Sequence, residues 1–141
     1  MRRVYLDACV VIYLLENAEP FSEKTRQHLA RNSDAHLCVS PLVRMEVILK
    51  PLRESATALV ADYEDFLAAQ HWLAIDDSIF NRALHLRAHH GLKTPDALHL
   101  ATALHHGCAE FWTNDGRLHK AAGSMAVNIL SDYCSAGSIP K

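Results

Sequence analysis

The sequence predicts an α/β fold: a three-layer α/β/α sandwich with about five parallel strands at its centre. Two observations carry this prediction. Short runs of strand formers alternate along the chain with longer, helix-length patterns. Strands separated by helical crossovers are normally parallel, with helices covering both sheet faces. The length agrees: 141 residues, 50% of them hydrophobic and 21% charged, suit one domain over residues 1–141 with one contiguous core. A disordered chain is excluded, since it would be poorer in large aliphatics.

The elements follow in order. Val4-Tyr5-Leu6 reads as a first strand ended by Asp7, and residues 8–16 as a short apolar helix. Phe21 to Arg31 is amphipathic, with Glu23, Lys24, Arg26 and Arg31 on its polar side. His36-Leu37-Cys38-Val39 is a second strand. Ser40-Pro41 then opens a helix, because Ser accepts a backbone N–H at the N-cap and Pro is tolerated just inside. Pro51 is expected to stop that helix. Ser55 to His71 is a long helical pattern built on Leu59, Val60, Tyr63, Phe66 and Leu67. Trp72 to Ile75 reads as a third strand. Asp76-Asp77-Ser78 caps the next helix, which Gly91 ends.

Thr94-Pro95 repeats the cap-plus-proline device. It opens an almost wholly apolar helix through Leu104, closed by Gly107, and a helix apolar all round is buried. Phe111-Trp112-Thr113 is a fourth strand, and Ala126 to Ile129 a fifth. Both tryptophans are expected in the core. Residues 131–141, with their Gly, Ser and Pro, read as a loose tail.

No stretch reaches the ~18 uninterrupted apolar residues of a membrane span. Met1-Arg2-Arg3 before an apolar run imitates a signal peptide, but Asp7 breaks the run and no small-residue cleavage site follows. Cys9, Cys38, Cys108 and Cys134 form no C-x-x-C pair and match no zinc ribbon. Reduced thiols in a cytoplasmic protein are the expectation. Ten histidines are many, and His85 and His89 stand four apart. That spacing can hold zinc, but no supporting Cys or His follows, so surface or half-buried imidazoles are expected.

The chemistry lies in acids that follow strands, because ligands of open α/β sheets bind beyond the carboxyl ends of the strands. Asp7 ends the first strand and serves equally as a helix cap or a functional acid. Glu46 lies amid Leu42, Val43, Met45, Val47 and Ile48, too far into its helix to cap it. A carboxylate among apolar neighbours is costly unless paired or metal-bound. Arg44 is no partner for it, since residues two apart on a helix do not face each other. Asp96 opens the buried helix, where it also suits the helix dipole. Asp115 ends the fourth strand in Asn114-Asp115-Gly116, which is also an ordinary turn signal. Carboxylates converging at one sheet edge repel, and a divalent cation relieves them. Mg²⁺ and Mn²⁺ prefer such oxygen ligands.

Four segments carry a resemblance: Val4 to Tyr13, Ser40 to Val47, Thr94 to Ala103, and Phe111 to Asp115. In this order they resemble the PIN-domain family, more narrowly the VapC-type toxins of bacterial toxin–antitoxin pairs. The resemblance implies a five-stranded α/β/α sandwich and a metal-dependent endoribonuclease leaving 5′-phosphate and 3′-hydroxyl ends. It maps the acidic quartet, both catalytic and metal-binding, onto Asp7, Glu46, Asp96 and Asp115, with Thr113 and Asn114 in support. It further implies an RNA substrate, a VapB-like antitoxin at the acidic pocket, and a homodimer. Many members carry another acid two residues beyond the last, where this chain has Arg117. One Mg²⁺ or Mn²⁺ is therefore expected rather than two. Arg117, Arg44 and Lys93 are the candidates for meeting substrate phosphate, with Lys50, Arg53 and Lys120 also near the motifs.

Two other readings stand beside this one. One is a PIN-like RNA-binding module with weak or no activity. The other is a receiver-like phospho-accepting domain, which would want an acidic pair where Asp7 is followed by Ala8. The formal charge of −2 does not exclude RNA. With four acids gathered in one pocket, the remaining surface carries a net basic balance.

Overall fold

The computed structural model describes residues 2–130. The tail 131–141, with Cys134, lies outside the described residues. Five strands form one all-parallel sheet in the order β3-β2-β1-β4-β5. They are β1 (Arg2–Leu6), β2 (Ala35–Val39), β3 (His71–Trp72), β4 (Glu110–Thr113) and β5 (Ala126–Asn128). The helices α1 (Ala8–Leu15), α2 (Phe21–Arg31), α3 (Pro41–Arg53), α4 (Thr57–Ala68), α5 (Asp77–His90), α6 (Thr94–His105) and α7 (His119–Ala122) connect them. This is the three-layer α/β/α arrangement that the strand–helix alternation predicts.

The core lies against β1 and β4. Val4, Tyr5, Leu6 and Phe111 are fully buried and Trp112 nearly so. Every residue of α6 from Ala97 to Ala103 is buried, as its apolar sequence requires. Thr102 fits there because its hydroxyl donates to the Leu98 carbonyl. The caps work as read at Ser40 and Asp76, whose side chains accept from Val43 N–H and Ile79 N–H. Gly91 ends α5 at φ +66°, a left-handed conformation that suits glycine.

Several boundaries differ from expectation. Pro51 lies inside α3, which runs on to Arg53. Pro51 cannot donate to a preceding carbonyl, but it falls in the last turn with its ring buried, so little ladder is lost. Helix α4 starts at Thr57 because Ser55 takes φ +57°, which no helix accommodates. Its end is earlier too, since His71 and Trp72 pair with Cys38 and Val39 as β3. Trp72 stands at that sheet edge, 40% exposed, and its indole N–H donates to the Leu67 carbonyl. It is therefore not a core residue, whereas Trp112 is. Helix α6 begins at Thr94 itself, after Lys93, with no side-chain cap. Pro95 falls in the first turn, where a missing N–H costs nothing. The thiols of Cys9, Cys38 and Cys108 are free.

The strand order sets the site. The chain steps outward from β1 to β2 and β3, then returns to place β4 on the other side of β1. The reversal leaves a crevice at the carboxyl ends of β1 and β4, where ligands of such sheets bind. Asp7 and Asp115 follow those two ends.

Candidate active site

Asp7 is the first residue beyond β1 and its backbone N–H still bonds the Trp112 carbonyl, 3.0 Å away. One carboxylate oxygen accepts from Ala8 N–H at 2.7 Å and the other from the Thr113 hydroxyl at 2.8 Å. Asp7 therefore both caps α1 and is tied to the end of β4. Thr113, the fully buried last residue of β4, also accepts from Asp115 N–H at 3.0 Å. One hydroxyl thus ties the first acid to the loop that carries the last. Asn114 braces the same loop by donating to the Tyr13 hydroxyl at 2.7 Å.

Glu46 projects from α3 and accepts from His99 Nε2 at 2.7 Å. Donor atoms of Asp7, Glu46 and His99 lie within 4.8 Å of one another, close enough to hold one metal ion. His99 is the residue the sequence reading missed. It lies one helical turn after Asp96 on α6, and that spacing was its only local signal.

Asp96 and Asp115 join this group electrostatically. Burial raises the Asp96 carboxyl above the ordinary aspartate range, and the charges of Asp7 and Asp115 push it further in the same direction. Asp115 behaves oppositely. Hydrogen bonding from Arg117 holds its carboxyl below the usual range. The Arg117 guanidinium grips both Asp115 oxygens, with contacts of 2.6, 3.0 and 3.1 Å. Cys9, beside Asp7, has its thiol pushed up to about 12 by burial and then by the Asp7 charge, so it stays protonated at neutral pH.

The basic candidates separate. His90, Lys93, Arg117 and Lys120 line an opening of about 270 Å³ with Asp96 in its wall. Arg44 lies apart, in a two-point ion pair with Glu64 of α4. The donor set is two carboxylates and one imidazole, and its carboxylate oxygens suit a hard divalent cation such as Mg²⁺ or Mn²⁺.

The all-parallel sheet reverses between β1 and β4, and beside that point Asp7, Glu46 and His99 could together hold a metal ion. The family model for the PIN domain matches residues 4–124, and the chain belongs to the PIN domain family. No curated protein sequence matches the chain. Solved structures with the same fold include a toxin–antitoxin complex from Klebsiella pneumoniae, with TM-score 0.71 and 23% identity over 89% of this chain and 97% of that one. VapBC2 from Rickettsia felis, bound to a DNA fragment from its promoter, gives 0.72 at 12% identity over 89% and 97%. VapC20 of Mycobacterium tuberculosis, a sarcin–ricin-loop-cleaving toxin, gives 0.68 at 13% identity over 96% of each chain. At these identities the likeness is one of fold.

Proposed function

We propose that the chain is a metal-dependent endoribonuclease and the toxin of a toxin–antitoxin pair. The observation that carries this reading is the cluster of Asp7, Glu46 and His99 at the sheet reversal, with Asp96 electrostatically joined to it. Asp7, Glu46 and Asp96 would hold one Mg²⁺ or Mn²⁺, directly or through water. When bound, that ion polarises a phosphoryl oxygen and makes bound water a stronger nucleophile at neutral pH.

The chain's own residues do the rest. Ala8 N–H and the Thr113 hydroxyl fix the Asp7 oxygens, so the carboxylate needs no reorganisation when charge develops. Asp115, held by Thr113 through its backbone, orients the attacking water. The basic opening of Lys93, Arg117 and Lys120 receives the substrate backbone, because phosphate contacts supply most sequence-independent affinity. Arg44 stands outside that opening, in an exposed ion pair with Glu64 that a phosphate could replace.

The partners follow from the same reading: RNA as substrate, a VapB-like antitoxin over the acidic pocket, and a second copy of the chain. Exposed Met45, Leu49 and Leu52 on α3 and Phe80 and Leu84 on α5 support the homodimer, since each set repeats on one helix face. No helix among the described residues is long and apolar enough to cross a membrane.

The test is cleavage of mixed RNA with Mg²⁺ or Mn²⁺, with EDTA as control. Cleavage should need the cation, and Asp7→Asn should abolish it with the fold intact by circular dichroism. Full activity of that variant would remove Asp7 from the site. RNA binding without cleavage would favour the inactive binding module, a reading that the Arg117 grip on Asp115 supports.

A further inference from the structure

We propose that His99 is a positioning residue: a buried relay running from Ser40 through Tyr5 to His99 fixes the Glu46 carboxylate for cation binding. The inference rests on the metal-site reading and deepens it.

The relay crosses three separate parts of the chain. Val43 N–H donates to Ser40 Oγ at 3.4 Å. Ser40 Oγ and the Tyr5 hydroxyl are 2.8 Å apart. The Tyr5 hydroxyl is 2.6 Å from His99 Nδ1, and His99 Nε2 is 2.7 Å from Glu46 Oε1. Tyr5 and Ser40 are fully buried, and His99 is 1% exposed.

The direction of the relay follows from its two ends. A carboxylate only accepts, so His99 Nε2 carries the proton that faces Glu46. With one ring proton, Nδ1 accepts from the Tyr5 hydroxyl. Tyr5 in turn accepts from the Ser40 hydroxyl, and Ser40 accepts from the Val43 backbone. Every donor then has one acceptor, and the imidazole is held in one tautomer. The opposite tautomer would set a ring lone pair against the Glu46 carboxylate.

Buried polar groups are costly unless all are satisfied. Three of them here converge on one acid. Glu46 would otherwise be a three-torsion side chain reaching from a half-buried helix position. Held through Oε1, it keeps its other oxygen for the crevice that it shares with Asp7. Ser40 also caps α3, so the helix bearing Glu46 is anchored by the same hydroxyl. Groups that orient metal ligands typically contribute 10–100-fold to metal affinity.

The experiment measures Mn²⁺ binding to the whole chain by electron paramagnetic resonance, with thermal melts alongside. His99→Ala should weaken Mn²⁺ binding about 10–100-fold. His99→Gln, whose amide N–H can still donate to Glu46, should recover most of that loss. Tyr5→Phe keeps the core volume and releases the tautomer, so it should weaken binding severalfold even if His99→Ala fails to fold. In a Glu46→Gln background the His99 substitutions should have no further effect. Wild-type affinity in both His99→Ala and Tyr5→Phe would overturn the proposal. So would a His99→Gln variant as weak as His99→Ala, which would make the imidazole a direct ligand. Wild-type chain that binds Mn²⁺ but cuts no RNA would refute the ribonuclease reading alone. Wild-type chain that binds no Mn²⁺ would refute both.

Discussion

Glu46 and Asp115 belong to the same acidic group, yet they are held in contrasting ways. Glu46 is gripped by His99, whose side chain is 2% exposed and whose other nitrogen is fixed in the core. Asp115 is gripped by Arg117, which is 71% exposed and only two residues away in sequence. A buried imidazole cannot leave without opening the core. An exposed guanidinium can exchange its carboxylate for a phosphate, because solvent and salt compete for it. The inner half of the site is therefore pre-set, and the outer half can exchange partners.

This contrast should appear first in cation binding. Glu46→Gln removes a carboxylate from the Asp7–Glu46–His99 cluster, and should weaken Mn²⁺ binding and RNA cleavage by about a hundredfold or more, since a cation supplies several kcal/mol to such reactions. Asp115→Asn should cost Mn²⁺ affinity less, because Arg117 already offsets that charge. Equal losses in a Mn²⁺ titration would erase the distinction between the halves.

Arg117→Ala comes next and should act in opposite directions on the two ligands. Mn²⁺ binding should strengthen a few-fold, because a competing cation has gone. RNA binding should weaken severalfold, and its logarithmic salt dependence should flatten by about one phosphate contact. Unchanged RNA affinity across a salt series would show that Arg117 serves Asp115 alone.

The smallest effect is in pH. The Asp96 carboxyl is raised, so the folded chain holds that proton more tightly than the unfolded chain does. Its ionisation costs stability at neutral pH, and that cost disappears as pH falls through its raised value. Asp115 is lowered, so its contribution is present above the ordinary aspartate range and is lost on further acidification. Protons should therefore displace Mn²⁺ at Asp96 first, starting above the usual aspartate value of about 3.9. Asp96→Asn should remove that early phase from Mn²⁺ titrations taken at successive pH values. A proton-competition curve of the same shape in wild type and variant would count against this order.

Much of the site was legible before any folding was considered. Asp7 announced itself as an acid closing a strand, and Glu46 as an acid in an apolar helical run. Both stand out because a local pattern makes the residue anomalous, and the fold brings the two together. His99 is not anomalous in Ala97-Leu98-His99-Leu100, where an imidazole looks like an ordinary half-buried side chain. Its meaning depends on Tyr5, which by sequence is a strand former and nothing more. Arg117 stood out by sequence as a base where many relatives carry an acid, and Arg44 as a base near a motif; only the fold pairs Arg44 with Glu64 and Arg117 with Asp115. Trp72 read as core because tryptophan in a strand usually is, but β3 falls at the sheet edge.

The sequence by itself determined the alternation of strands and helices, the parallel sheet, most caps, and the acids that end or follow strands. These depend on interactions within a few residues, which periodicity and capping chemistry record. The tertiary structure alone decided that the reversal of strand order falls between β1 and β4. It also decided that a hydroxyl at 5 meets an imidazole at 99 and that this imidazole holds a carboxylate at 46. Those contacts span 94 and 53 positions of chain. They are set by which faces pack together once the core closes, and no local pattern encodes that choice.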